Sequence, residues 1–109
     1  MNDASENMLK ALIEEIHFDN VHKGFWDKER NVGEALALIH SEISEALEAH
    51  RKGLQSEKIE GYSGLTEELA DAMIRIMDFA GGMDIPLESA IRAKLAHNRQ
   101  RPYKHGKSY

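Results

Sequence analysis

The stretches "EISEALEAHRKG" (residues 42–53) and "EELADAMIRIMD" (residues 67–78) decide the fold of this chain. In both, apolar residues recur at intervals of three and four, which is typical of one face of an α-helix. Each stretch also carries two acids three residues apart, which makes them neighbours on one helix face. Two such helices packed antiparallel would bring four carboxyl groups together. The four acids are Glu42, Glu45, Glu68 and Asp71.

The same periodicity, followed outward from these stretches, predicts four helices and no strand. Gly81 and Gly82 are expected to end the third helix. Asp84 is expected to cap the fourth, with Pro86 in its first turn. The sequence therefore predicts an all-α fold. The predicted helices span about residues 3–22, 32–52, 65–80 and 86–99.

Length and composition limit the class of protein. A chain of 109 residues supports one domain with a small core, so we expect residues 1–109 to form a single domain. No segment approaches the ~18 consecutive apolar residues that a membrane span needs, and no signal segment is apparent at the start. The chain has no cysteine, which excludes disulfides and thiolate metal ligands. These features predict a cytoplasmic protein that does not act in a membrane.

Charge is distributed unevenly along the sequence. Residues 1–88 carry 19 acids against 8 Lys or Arg, whereas residues 89–109 carry 6 Lys or Arg and no acid. A large acidic body argues against a nucleic-acid polymer as partner, because binding a polyanion requires a basic face. The basic tail either neutralises the acidic body or binds a small anion.

Four clustered carboxylates repel one another, which destabilises a fold unless a cation neutralises them. Mg²⁺ and Mn²⁺ prefer carboxylate oxygens and usually retain waters that a substrate can replace. The alternative is that the acids belong to solvated helix faces, and the sequence leaves both interpretations open. A di-iron bundle takes Glu-x-x-His from two helices, but the sequence contains one such match, Glu14 to His17.

The order of these motifs resembles that of the MazG-like, all-α nucleoside triphosphate pyrophosphohydrolases. "IHSEISEALEAHRKG" (residues 39–53) and "TEELADAMIRIMDFA" (residues 66–80) are similar to the two motif helices of that family. "AKLAHNRQRPYKHG" (residues 93–106) is similar to the closing segment of its single-domain members, which contains K-x-x-x-N-x-x-R. The resemblance covers about residues 15–107.

This resemblance implies a four-helix MazG-like bundle completed by oligomerisation, as a homodimer or homotetramer. It implies Mg²⁺-dependent hydrolysis of a nucleoside triphosphate to the monophosphate and pyrophosphate, in the service of nucleotide-pool cleansing. Mn²⁺ is a possible substitute for Mg²⁺. The metal ligands and catalytic residues implied by position are Glu42, Glu45, Glu68 and Asp71.

Further substrate contacts are implied by position. His17 and Trp26 resemble residues that contact the base or sugar in relatives, and each fits equally well as a core residue. Lys94, Asn98 and Arg101 are expected to bind phosphates, with Lys acting as a point charge and Arg as a fork. The sequence has no G-x-x-x-x-G-K-[ST] loop and no evident nucleophile–base pair, which leaves water as the attacking group.

Two interpretations remain open beside these. Asp78 lies two turns beyond Asp71, so it is either an outer acid of the site or an ion-pair partner of Arg75. The competing functional class is a non-catalytic helical module, either a nucleotide sensor or a metal-stabilised oligomerisation domain. The intact acid quartet favours the enzyme, whereas the preferred base and sugar are not predicted.

Overall fold

The computed structural model describes residues 3–106, and within this range the side chains of residues 8–104. The described residues form four α-helices followed by a short 3-10 helix and contain no strand, although Gln55 and Ser63 form an isolated antiparallel bridge. The predicted all-α class is confirmed. The elements are α1 (Asp3–His22), α2 (Val32–Lys52), α3 (Gly64–Gly82), α4 (Leu87–Arg99) and the 3-10 helix (Tyr103–Gly106).

Local capping fixes where the two central helices begin and end. The Asn31 side chain accepts a hydrogen bond from a backbone N–H in the first turn of α2, and Ser63 does the same for α3. Both residue types are favoured at helix N-caps. Gly53 ends α2 with a φ of 62°, a left-handed conformation that glycine adopts without strain. α2 and α3 pack against each other, and α1 packs against α3.

The predicted end of α3 is too early. The helix continues from Ala80 through Gly81 and Gly82. A Cβ atom on Gly82 would lie 2.1 Å from the Trp26 ring, and one on Gly81 would lie 2.9 Å from the His17 Cβ. The two glycines therefore permit the close approach of α1 and the following loop, and the helix ends only at Gly82.

The predicted cap of α4 is wrong. α4 begins at Leu87, Pro86 occupies the N-cap position, and no side chain caps the helix. Asp84 instead takes a left-handed backbone conformation, with a φ of 55°, in the turn between α3 and α4. Asp is one of the few residues besides glycine that visits this region.

The core consists mainly of small side chains. The buried apolar residues among those described are Ile13, Ala35, Ala46, Ala49, Ala72, Met77 and Ala80. Several larger residues of the predicted apolar stripes on α2 and α3 are exposed instead. These are Leu36, Ile43, Leu47, Leu69 and Met73. None of the helices in the described part of the chain has the length and apolar character of a bilayer-spanning segment.

Candidate functional site

Three of the four predicted metal ligands converge between α2 and α3. One carboxylate oxygen from each of Glu42, Glu68 and Asp71 lies within 4.8 Å of the other two. Glu42 belongs to α2, whereas Glu68 and Asp71 lie one turn apart on α3. All three side chains are half-buried. The packing of α2 on α3 therefore produces an acidic cluster that remains accessible from outside.

Burial and mutual repulsion raise the pKa of the two acids on α3. Desolvation, then a hydrogen bond with Glu42 and the nearby carboxylates, raises the pKa of Glu68 from 4.5 to about 7. Desolvation also raises the pKa of Asp71, and neighbouring acids add to this while Lys58 and Arg75 oppose it. The cluster thus holds more negative charge than its surroundings neutralise, which is the condition that a divalent cation relieves.

Glu45 lies beside this cluster. Among the described residues, the group of carboxylates within 4.8 Å does not include Glu45, and its side chain is exposed. Its charge nevertheless contributes to the raised pKa of Glu68. Both residues line a cleft of about 320 Å³ that also contains Glu48 and Glu67. The predicted quartet is arranged as three carboxylates and an adjacent fourth, and its metal-binding role stays a prediction.

A second cleft, of about 340 Å³, begins at the acidic cluster and is called the main cleft below. Its volume lies near the lower end of the ~300–1,000 Å³ found for small-molecule sites. Glu42 and Asp71 line it together with Lys58 and Arg75. The Arg75 Nε lies 3.2 Å from the Glu42 Oε1, so Arg75 pairs with Glu42 and does not pair with Asp78. Acids and cations therefore share one end of the main cleft.

The other end of the main cleft is built around Asp78. Asp78 lies seven residues beyond Asp71 on α3, which separates them by about 10 Å along the helix axis. Asn20, Phe25 and Arg30 line the cleft with Asp78. The apolar part of the wall comes from Ala35, Ile74 and Phe79. Besides the acids, the main cleft thus offers an aromatic ring, an amide and a guanidinium.

Asp78 is buried, with 4% of its surface exposed, and it meets three potential donors. Its Oδ1 lies 2.9 Å from the His17 Nδ1 and accepts a hydrogen bond of 2.9 Å from the Trp26 Nε1. Its Oδ2 lies 3.5 Å from the Arg30 guanidinium. An ionised carboxylate only accepts hydrogen bonds, so the His17 Nδ1 carries the hydrogen. One carboxylate thereby joins α1, the loop after it and α3.

His17 and Trp26 lie behind the wall of the main cleft. Neither is among the lining residues of three clefts on the described part of the chain. The Trp26 indole N–H donates to Asp78, and the Arg30 guanidinium lies 4.9 Å from the centre of the Trp26 ring. His17 meets the same ring edge-on at 4.9 Å. Both side chains therefore have the packing role that the sequence left open. Their direct contact with a base or sugar stays a prediction.

The predicted phosphate-binding residues of the tail are Lys94, Asn98 and Arg101. α4 contacts α1, Lys94 is exposed, and Asn98 and Arg101 are half-buried. Within the described residues, the Asn98 amide oxygen is buried without a hydrogen-bond partner. None of the three residues lines the described clefts beside the acidic cluster. Their phosphate-binding role stays a prediction.

Sequence reasoning missed two cations of the main cleft, Lys58 and Arg30. Lys58 belongs to a loop that folds around Ser56, whose hydroxyl accepts the Lys58 backbone N–H and donates to Glu67. A serine two residues before the lysine is a signal for such a local turn. Arg30 directly precedes the N-cap Asn31, but no sequence pattern marks it as a cleft residue.

No protein-family model matches this chain, and no curated protein and no solved structure matches it either. The resemblance to the MazG-like family therefore stays a prediction.

Proposed function

We propose that this chain is a divalent-metal-dependent nucleoside triphosphate pyrophosphohydrolase that cleaves between the α and β phosphates. The observation that supports this most strongly is the three-carboxylate cluster at one end of a cleft that also presents Lys58 and Arg75. A triphosphate and clustered carboxylates repel each other unless a cation lies between them. Hard oxygen ligands in a partly open site suit Mg²⁺ or Mn²⁺. The role we infer is removal of surplus or modified nucleotides from the cellular pool.

Each group of the cluster has an expected role. Glu42, Glu68 and Asp71 would hold the cation, which neutralises phosphate charge and activates water for attack. Lys58 and Arg75 would bind phosphate oxygens, with Arg75 giving up part of its contact with Glu42.

Glu45 would accept the proton of the attacking water. It lies beside Glu68 but outside the group of three, so its carboxylate is available for this task when the cation is bound. A base is effective within hydrogen-bond reach of the proton that it removes. The products are the nucleoside monophosphate, which carries the oxygen of the water, and pyrophosphate.

We further propose that the active form is a homodimer or homotetramer. Each of the four helices leaves large apolar side chains exposed among the described residues. Leu36, Ile43 and Leu47 recur at helical spacing on α2 and are all exposed, so they supply an apolar surface for contacts between copies.

Association also offers a place for the tail residues. Lys94 and Asn98 lie on α4, which contacts α1 and does not line the main cleft. We expect them to bind phosphates in the cleft of a neighbouring copy. The Asn98 side chain would bind phosphate through its amide N–H groups, because its amide oxygen only accepts hydrogen bonds.

The proposal is tested with a panel of canonical and modified nucleoside triphosphates in the presence of Mg²⁺, with pyrophosphate release as the readout. We expect Glu68→Gln to lose both turnover and the rise in melting temperature that Mg²⁺ gives the wild type. Glu45→Gln should keep the Mg²⁺-dependent rise and lose turnover. Glu15→Gln is the matched control, because Glu15 is an exposed acid of α1 that lines none of the three clefts on the described part of the chain.

Three results would contradict the proposal. Nucleotide binding without turnover of any substrate would favour a sensor. A metal-dependent oligomer that binds no nucleotide would favour an oligomerisation module. A melting temperature that does not change with Mg²⁺ or Mn²⁺ would contradict the proposed metal site.

A further inference from the structure

Arg30 is held in the wall of the main cleft by contacts on two sides. Its guanidinium lies over the Trp26 ring, 4.9 Å from the ring centre, and 3.5 Å from the Asp78 Oδ2. The side chain is 22% exposed and lines the main cleft. A guanidinium has five N–H donors in a rigid fork, and the approach to Asp78 involves one of its nitrogens. The remaining donors make Arg30 suited to a second acceptor in the cleft.

The position of Arg30 indicates which part of a nucleotide it would meet. In the proposed function the triphosphate lies at the acidic cluster, where Lys58 and Arg75 supply positive charge. Arg30 lies beside Asp78, which is about 10 Å from Asp71 along α3. Phe25 and Asn20 line the main cleft with it, and an aromatic ring beside polar groups suits a base. The guanidinium therefore faces the nucleoside end of the cleft.

We propose that Arg30 donates hydrogen bonds to a carbonyl oxygen of the substrate's base, and that Asp78 is the positioning residue that fixes its guanidinium there. This inference rests on the proposed function and adds the base preference to it. Arginine forms its commonest base-specific contact with the carbonyl and N7 acceptors of guanine, whereas adenine presents an amino donor in place of that carbonyl. Bases with a carbonyl at this position are therefore preferred to adenine.

ITP and ATP form a matched pair for the test, because hypoxanthine carries a carbonyl oxygen where adenine carries an amino group. We expect the wild type to favour ITP over ATP by about ten-fold or more in kcat/KM, the effect of one good base contact. Arg30→Ala should abolish this preference by raising the KM for ITP with little change in kcat. Arg30→Lys should not restore it, because an ammonium lacks the fork.

The Asp78→Asn variant distinguishes a role of Asp78 in positioning Arg30 from a role in stabilising the fold. Asn keeps the size of the side chain and an acceptor for Trp26 but removes the negative charge beside Arg30. We expect the ITP preference to fall while kcat for ATP is retained, a pattern that simple destabilisation does not produce. Arg51→Ala is the control, because Arg51 is exposed at the end of α2, and it should leave the preference unchanged.

A measurement of nucleotide binding does not require turnover, so it distinguishes failure of this inference from failure of the proposed catalytic function. Trp26 is the single tryptophan of the chain and touches Arg30, so its fluorescence reports ITP and ATP binding in wild type and Arg30→Ala. Tighter binding of ITP that disappears in Arg30→Ala supports the inference even when no hydrolysis occurs. An ITP-to-ATP ratio that is the same in both proteins, or equal weakening of both nucleotides, overturns it. Wild-type protein that binds neither nucleotide overturns it as well.

Discussion

Replacing Gly82 by alanine tests the packing that holds Trp26 behind the main cleft. The added Cβ would lie 2.1, 2.3 and 2.6 Å from three atoms of the Trp26 ring. Non-bonded carbons normally lie ~3.5–4.0 Å apart, so the ring must shift by roughly 1.4 Å or more. The Trp26 Nε1 is 2.9 and 3.1 Å from the two Asp78 oxygens. A shift of this size breaks these hydrogen bonds.

The expected loss of stability follows from these contacts. A hydrogen bond to a charged acceptor contributes about 1.5–3 kcal/mol to the free energy of unfolding. Replacing a helical glycine by alanine raises the free energy of unfolding by about 0.5–1 kcal/mol through the higher helix propensity of alanine, which offsets part of this loss. The net destabilisation is about 1.5 kcal/mol. With an unfolding entropy of ~2.1 cal/mol/K per residue, the melting temperature should fall by about 7 °C.

Thermal unfolding followed by circular dichroism at fixed protein concentration measures this change. Fluorescence adds a local readout, because Trp26 is the only tryptophan and its emission should move to longer wavelength when the ring is displaced. Gly33→Ala is the comparison, since Gly33 is exposed in the first turn of α2 and the one atom near its added Cβ, the Oδ1 of the N-cap Asn31 at 3.3 Å, needs to move by only a few tenths of an ångström. A Gly82→Ala protein with unchanged melting temperature and emission would refute the packing argument.

Two further predictions concern the acidic cluster and the assembly. Without divalent cation, the melting temperature should fall as the pH rises from about 5 to about 8. The pKa of Glu68 is raised to about 7 in the folded state, so between its ordinary pKa and this value the folded state binds more protons than the unfolded state. Glu68→Gln should weaken this dependence, and a wild type whose stability rises over the same interval would contradict the assignment. If Lys94 serves the cleft of a neighbouring copy, inactive Glu68→Gln and Lys94→Ala subunits should regain activity when they are mixed and allowed to exchange. Mixed oligomers that stay inactive would place Lys94 with the acids of its own chain or outside the site.

The helices could be predicted from sequence because their signals are local. The predicted bounds of α1 and α2 match the observed ones, since helical periodicity and the stop at Gly53 act within a few residues. The convergence of Glu42, Glu68 and Asp71 was also predictable, because i, i+3 spacing and the packing of consecutive helices bring such acids together. Local rules failed at the end of α3. There Gly82 serves packing against Trp26, which sequence spacing does not reveal.

The group around Asp78 was beyond the reach of the sequence for the same reason. His17 and Trp26 are 61 and 52 residues from Asp78 along the chain, and only tertiary packing brings them to one carboxylate. The sequence offered Asp78 as an ion-pair partner of Arg75, and the structure pairs Arg75 with Glu42. The choice of partner depends on side-chain direction and on the angle between helices, which residue spacing does not fix.

The bond that is cleaved tests the central claim most directly, because the acidic cluster alone suits attack at either end of a triphosphate. The wild type is incubated with Mg²⁺ and its best substrate in ¹⁸O-water, and the products are analysed by mass spectrometry. We expect the label in the nucleoside monophosphate and none in pyrophosphate, with no such products from Glu68→Gln. Nucleoside diphosphate together with labelled orthophosphate as the first products would contradict the account.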